Sequence, residues 1–163
     1  MAAVLECGTL LLQAMQTGAP VNNHPPAIIR TLTFAGVIPF VMAPMMKAGW
    51  LALPGTSPDI WLWSYAVVIS AFMAGAQWGS ALSRADTVSL VGSNVFALAV
   101  FALALWVQRP AGVLALAVLF AAQLLLDYRQ QRLDLISQGY WWLRCTITPL
   151  VCLMLVIYAG IAT

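Results

Sequence analysis

The sequence predicts an all-α, polytopic membrane bundle of five transmembrane helices, preceded by a short amphipathic amino-terminal helix. Three observations carry that expectation. The chain has seven basic and five acidic residues in 163, and 63% of its residues are apolar. Soluble domains carry about 25% charge, so this balance belongs to lipid. The charges are also bunched: none lies between Asp59 and Arg84, Asp86 and Arg109, Arg109 and Asp127, or after Arg144. Each gap is long enough, or nearly so, to cross about 30 Å of hydrocarbon at about 1.5 Å per helical residue. Finally, the apolar runs are continuous rather than alternating, which favours helices over a transmembrane barrel.

Residues 1–26 form the first unit, an amphipathic segment followed by a Pro-rich linker. Glu6, Thr9, Gln13, Gln16 and Thr17 recur at helical spacing, with Val4, Leu5, Leu11, Leu12 and Met15 on the remaining surface. The stretch is too short to span, and its pattern suits a helix lying on the membrane or docked on a partner. No basic n-region or small-residue cleavage site marks it as a signal peptide.

Residues 27–163 form the second unit, the transmembrane domain. The first span runs from about Ala27 to Trp50, with Arg30 and Lys47 at its ends. Pro39 and Pro44 each remove a helical hydrogen bond, so a kinked or partly unwound helix is expected. Leu53-Pro54-Gly55-Thr56-Ser57-Pro58 is a turn signal. The second span covers Ile60 to Leu82 and the third Val88 to Val107, ending at Gln108-Arg109-Pro110. The fourth, Ala111 to Leu126, is short, and Asp127 to Gly139 is expected to be a polar loop. Tyr140-Trp141-Trp142 marks a membrane–water boundary before the fifth span, Leu143 to Ala162.

Counting Lys and Arg sets the orientation. Arg30, Arg84, Arg129, Arg132 and Arg144 fall on one side, and Lys47 and Arg109 on the other. That asymmetry predicts a bacterial inner-membrane protein with its amino terminus cytoplasmic and its carboxyl terminus periplasmic.

Several function classes are excluded by composition. A net charge of +2 without a basic cluster gives no reason to expect a nucleic-acid partner. The single histidine, His24, lies in the linker, and no acidic pair shares a span, so no catalytic constellation, metal site or cofactor is expected. Cys7, Cys145 and Cys152 read as small apolar filler.

Two sets of residues stand out. Ala71, Gly75 and Gly79 recur every four residues and offer a flat helix-packing face, either inside the bundle or toward another protein. Gln77, Asn94, Gln123, Asp127 and Arg144 share one depth in the cytoplasmic half of the membrane, with Trp78 as an aromatic wall and Thr146 and Thr148 one turn further in. These groups either bridge helices or gather into a polar pocket for a lipid or quinone head group, with Asp127 and Arg144 as an interfacial ion pair.

Ile38-Pro39-Phe40, the stretch Ser64 to Gly79, Leu124-Leu125-Leu126-Asp127 and Trp141-Trp142-Leu143-Arg144 resemble a small membrane family of unknown function that includes mitochondrial transmembrane protein 69. The resemblance covers roughly residues 28 to 155, and its most specific part is the Tyr65…Phe72-x-x-Gly75-x-x-Trp78-Gly79 pattern. It implies a five-helix membrane protein and points to an energy-transducing membrane, without implying a reaction. The expected function is therefore a non-enzymatic accessory subunit or assembly factor, with the lipid bilayer and membrane-protein subunits as partners. The alternative is a lipid- or quinone-binding protein.

Overall fold

The computed structural model describes residues 27–106 and 111–161, so the expected amino-terminal helix lies outside the described residues. Within them run six helices: α1 (Ala27–Ala35), α2 (Ile38–Lys47), α3 (Pro58–Leu82), α4 (Thr87–Trp106), α5 (Ala111–Arg132) and α6 (Gln138–Gly160). Taken together, α1 and α2 form one broken span, and the described residues hold five helical segments long and apolar enough to cross a membrane.

The break in the first span follows from Pro39. Proline fits at the first turn of a helix, where its missing N–H has no intrahelical partner, so α2 restarts there. The Phe40 amide bonds the Val37 carbonyl at 3.0 Å, which leaves the Gly36 carbonyl without its usual amide. Two side chains of α3 cover the exposed backbone: Tyr65 donates its hydroxyl to the Gly36 carbonyl at 2.8 Å, and Trp61 Nε1 donates to the Pro39 carbonyl at 3.2 Å. Glycine suits position 36 because a Cβ there would come within 3.3 Å of the Thr33 carbonyl oxygen.

Three of the other helix starts are capped by side chains. Ser57 accepts from the Ile60 amide, with Pro58 and Asp59 in the first turn of α3. Asp86 accepts from the Ser89 amide at the start of α4, and Ser137 from the Tyr140 amide at the start of α6. Asp86 also pairs with Arg129 at 3.0 Å. The Arg129 guanidinium and Ser89 hold the Asp86 carboxyl at about 2, so this cap stays charged until pH falls through that value.

α3 packs against α2, α4 and α5, while α6 packs against α5, α2 and, more lightly, α1. The core joins Phe40, Leu62, Ala66, Leu116, Phe120, Val151, Leu155 and Tyr158. Phe40 meets Tyr65 and Phe120 edge-on, with ring centroids 5.1 and 6.1 Å away. At one end of the bundle Lys47, Asp59 and Tyr158 cluster. At the other, Arg84 donates to the Leu133 carbonyl.

One expectation needs correction, and one of two alternatives falls away. The fourth helix does not stop at Leu126 but continues to Arg132, and α6 begins at Gln138, which shortens the expected polar loop to residues 133–137. Asp127 failed to end the helix because its charge is neutralised inside the bundle. The Ala71, Gly75 and Gly79 stripe is exposed, and a Cβ at either glycine would meet no described atom within 4 Å. The small-residue face that packs within the bundle is instead Ala66, Ser70, Ala74 and Ala81, with Gln77 among them. Alanine and serine let the helices approach closely enough here without glycine.

Candidate functional site

The candidate site is a buried polar network on α3, α5 and α6. Gln123, Asp127 and Gln130 lie on one face of α5, at intervals of four and three residues. Extending α5 to Arg132 is what brings Gln130 into this row. Gln77 comes from the packed face of α3, and Arg144 from the second turn of α6.

Asp127 is completely buried, and both of its oxygens are used. Oδ2 accepts from Arg144 Nε at 2.6 Å, and Oδ1 accepts from Gln77 Nε2 at 2.8 Å. Gln77 Nε2 also donates to the Gln123 carbonyl at 2.8 Å, and Gln123 Nε2 reaches the Ser70 carbonyl at 3.0 Å. Gln130 Nε2 donates to the Gln77 carbonyl at 2.7 Å, while Ser80 donates its hydroxyl to Gln130 Oε1 at 2.8 Å. Amides on two helices thus clasp each other's backbone, and one carboxylate ties in the third helix. The expected interfacial pair of Asp127 with Arg144 is a buried pair, with side chains 0% and 7% exposed.

Four of the six expected cluster residues meet here: Gln77, Gln123, Asp127 and Arg144. Trp78 and Asn94 do not. Trp78 is 44% exposed, because one residue along a helix turns the side chain about 100° away from Gln77. Asn94 is exposed and donates back to the Leu90 carbonyl of its own helix at 2.8 Å. Both border a separate shallow groove between α3 and α4. Thr146 likewise faces away, bonding the Trp142 carbonyl. Sequence reasoning missed Ser70, Ser80 and Gln130. The spacing Gln123, Asp127, Gln130 was the available signal, hidden by reading Asp127 as the start of a loop.

Two cavities meet at the ion pair. A polar one of about 290 Å³ is lined by Gln77, Ser80, Asp127, Gln130, Ser137 and Tyr140, near the residue 133–137 end of the bundle. A larger one, about 390 Å³, is a groove walled by the broken first span, α3 and α6. Ile29, Leu32, Ile69, Phe72, Phe120 and Val151 give it an apolar lining. Leu32 and Phe72 are 66% and 67% exposed, so the groove opens on the lipid-facing side of the bundle. Arg144 and Thr148, one helical turn apart on α6, supply its polar lining together with Thr33 and Tyr140. Arg144 Nη2 and the Thr148 hydroxyl are both buried without a hydrogen-bond partner. Buried donors are normally satisfied, and leaving one unsatisfied costs about 1–3 kcal/mol, so two beside one groove need an explanation.

No curated protein and no solved structure matches this chain. One family model does, across residues 25–160, and the chain belongs to that family, described as a protein of unknown function (DUF3429).

Proposed function

We propose that this chain is a non-enzymatic membrane protein that binds a lipid or quinone in the groove between its broken first span, α3 and α6. One observation carries the reading: an apolar groove open to the membrane is lined by Arg144 and Thr148, each of which carries a buried, unpartnered donor. Pockets for amphiphiles are mostly apolar with a few polar groups that fix orientation, and this groove has that form. The Arg144–Asp127 pair and the clasped glutamines fix Arg144 in place.

The count of basic residues supports a bacterial inner membrane, with the amino terminus cytoplasmic and the carboxyl terminus periplasmic. The resemblance to the family of mitochondrial transmembrane protein 69 supports an energy-transducing membrane.

Native mass spectrometry of the protein extracted in mild detergent tests the reading. A lipophilic adduct of one molecule per chain is expected. Ala76 is small, exposed and lines the groove, so Ala76→Phe should fill it and abolish the adduct while the chain stays folded. An adduct-free wild-type protein would contradict the proposal.

A second reading, an accessory subunit or assembly factor of a larger membrane complex, is favoured by the open stripe of Ala71, Gly75 and Gly79. Because nothing described packs there, Gly79→Leu should leave the stability of the isolated chain within about 0.5 kcal/mol. The same change should strip any membrane-protein partner that copurifies with wild type. Unchanged copurification would remove the stripe as a docking face.

A further inference from the structure

We infer that the molecule held in the groove presents a neutral carbonyl oxygen to Arg144 and Thr148, as a quinone ring or an acylglycerol ester does, and not a phosphate. This deepens the amphiphile-binding reading above and rests on it.

Charge comes first. Arg144 is the only cation among the described residues that line the groove, and its charge is already balanced by Asp127 at 2.6 Å. The pair is neutral as a unit. An anionic head group would have to share one guanidinium with a fully buried carboxylate, in surroundings where like charges are weakly screened.

Geometry points the same way. A phosphate is held best by a free guanidinium fork through two parallel hydrogen bonds. Here Asp127 occupies Nε and so removes the fork that Nε makes with Nη2, while Arg144 Nη2 remains as a buried free donor. The second free donor, the Thr148 hydroxyl, sits one turn further along the same face of α6. An N–H of Arg144 Nη2 and the Thr148 O–H, on a single face, can each meet one of the two lone pairs of one carbonyl oxygen. The remaining wall, from Ile29 and Leu32 to Phe72 and Val151, suits an isoprenoid or acyl tail.

Equilibrium binding of three tritiated probes to the full chain in detergent tests the inference. The probes are a benzoquinone with a ten-carbon tail, 1,2-dioctanoylglycerol, and dioctanoyl phosphatidic acid. At least one neutral probe should bind one per chain and more tightly than phosphatidic acid. Whichever neutral probe binds identifies the source of the carbonyl, and binding by both would show that the carbonyl alone is read. Thr148→Val keeps the shape of the side chain and removes one donor. It should weaken the neutral probe severalfold, up to about tenfold. Phosphatidic acid binding as tightly as the neutral probes, or a neutral probe unaffected by Thr148→Val, would overturn the carbonyl inference and leave the groove a binding site. Binding by none of the three would overturn both.

Discussion

Asp127→Ala should destabilise the bundle by about 3–5 kcal/mol, among the largest effects any single substitution in this chain should produce. The cost comes from what is left behind. Arg144, with a side chain 7% exposed, would keep its charge without the carboxylate 2.6 Å away. The Gln77 amide would lose one of its two acceptors as well. Arg144→Gln should be similarly costly, since it strands a fully buried carboxylate. The double variant Asp127→Asn with Arg144→Gln removes both charges and leaves two amides able to bond each other. It should therefore recover most of the loss that removing either charge alone produces, because the two residues share one ion pair. Unfolding in detergent, followed by far-UV circular dichroism, reads all three. Single-variant losses below about 1 kcal/mol, the range of exposed pairs, would mean that water reaches the pair freely.

Phe40→Ala should cost about 3–5 kcal/mol. Phe40 is 1% exposed and lies where the restarted first span meets α3 and α5. In a bilayer the loss is mainly of dispersion contacts, because lipid tails are as apolar as the core they would replace. The expected value therefore falls at the lower end of that range. Ile38→Ala, two residues earlier and 56% exposed, is the control and should change stability by no more than about 0.5 kcal/mol. Equal losses at the two positions would show that the rings of Phe40, Tyr65 and Phe120 do not form a packed core.

The spans were legible because hydrocarbon punishes charge and unpaired backbone, and those penalties leave their trace in one dimension. The gaps between Asp59 and Arg84, and between Asp86 and Arg109, became α3 and α4 on that basis alone. Pro39 announced the break in the first span, although the roles of Tyr65 and Trp61 in covering it required the fold.

The site was legible only in depth. Gln77, Gln123, Asp127 and Arg144 share a level, but so do Trp78 and Asn94, and level does not say which way a side chain faces. The direction a residue points was readable on α5, where Gln123, Asp127 and Gln130 form one row. Taking Asp127 as the end of a span cut that row short. A carboxylate in an apolar stretch marks a membrane boundary only when no partner charge awaits it, and the partner here stands 17 residues away on the next helix. The glycine stripe left its partner open, inside the bundle or on another protein, and no described residue packs against its glycines. Gly-x-x-x-Gly shows that close approach is allowed, while Ala66, Ser70, Ala74 and Ala81 are where it occurs.

The most direct measurement is an experimental structure of the full chain, extracted in mild detergent from the membrane that houses it. Elongated density should lie along Ile29, Leu32 and Phe72, reaching hydrogen-bonding distance of Arg144 Nη2 and the Thr148 hydroxyl while Asp127 keeps Arg144 Nε. A groove closed by the chain's own side chains, with both donors bonded to protein, would contradict the binding site.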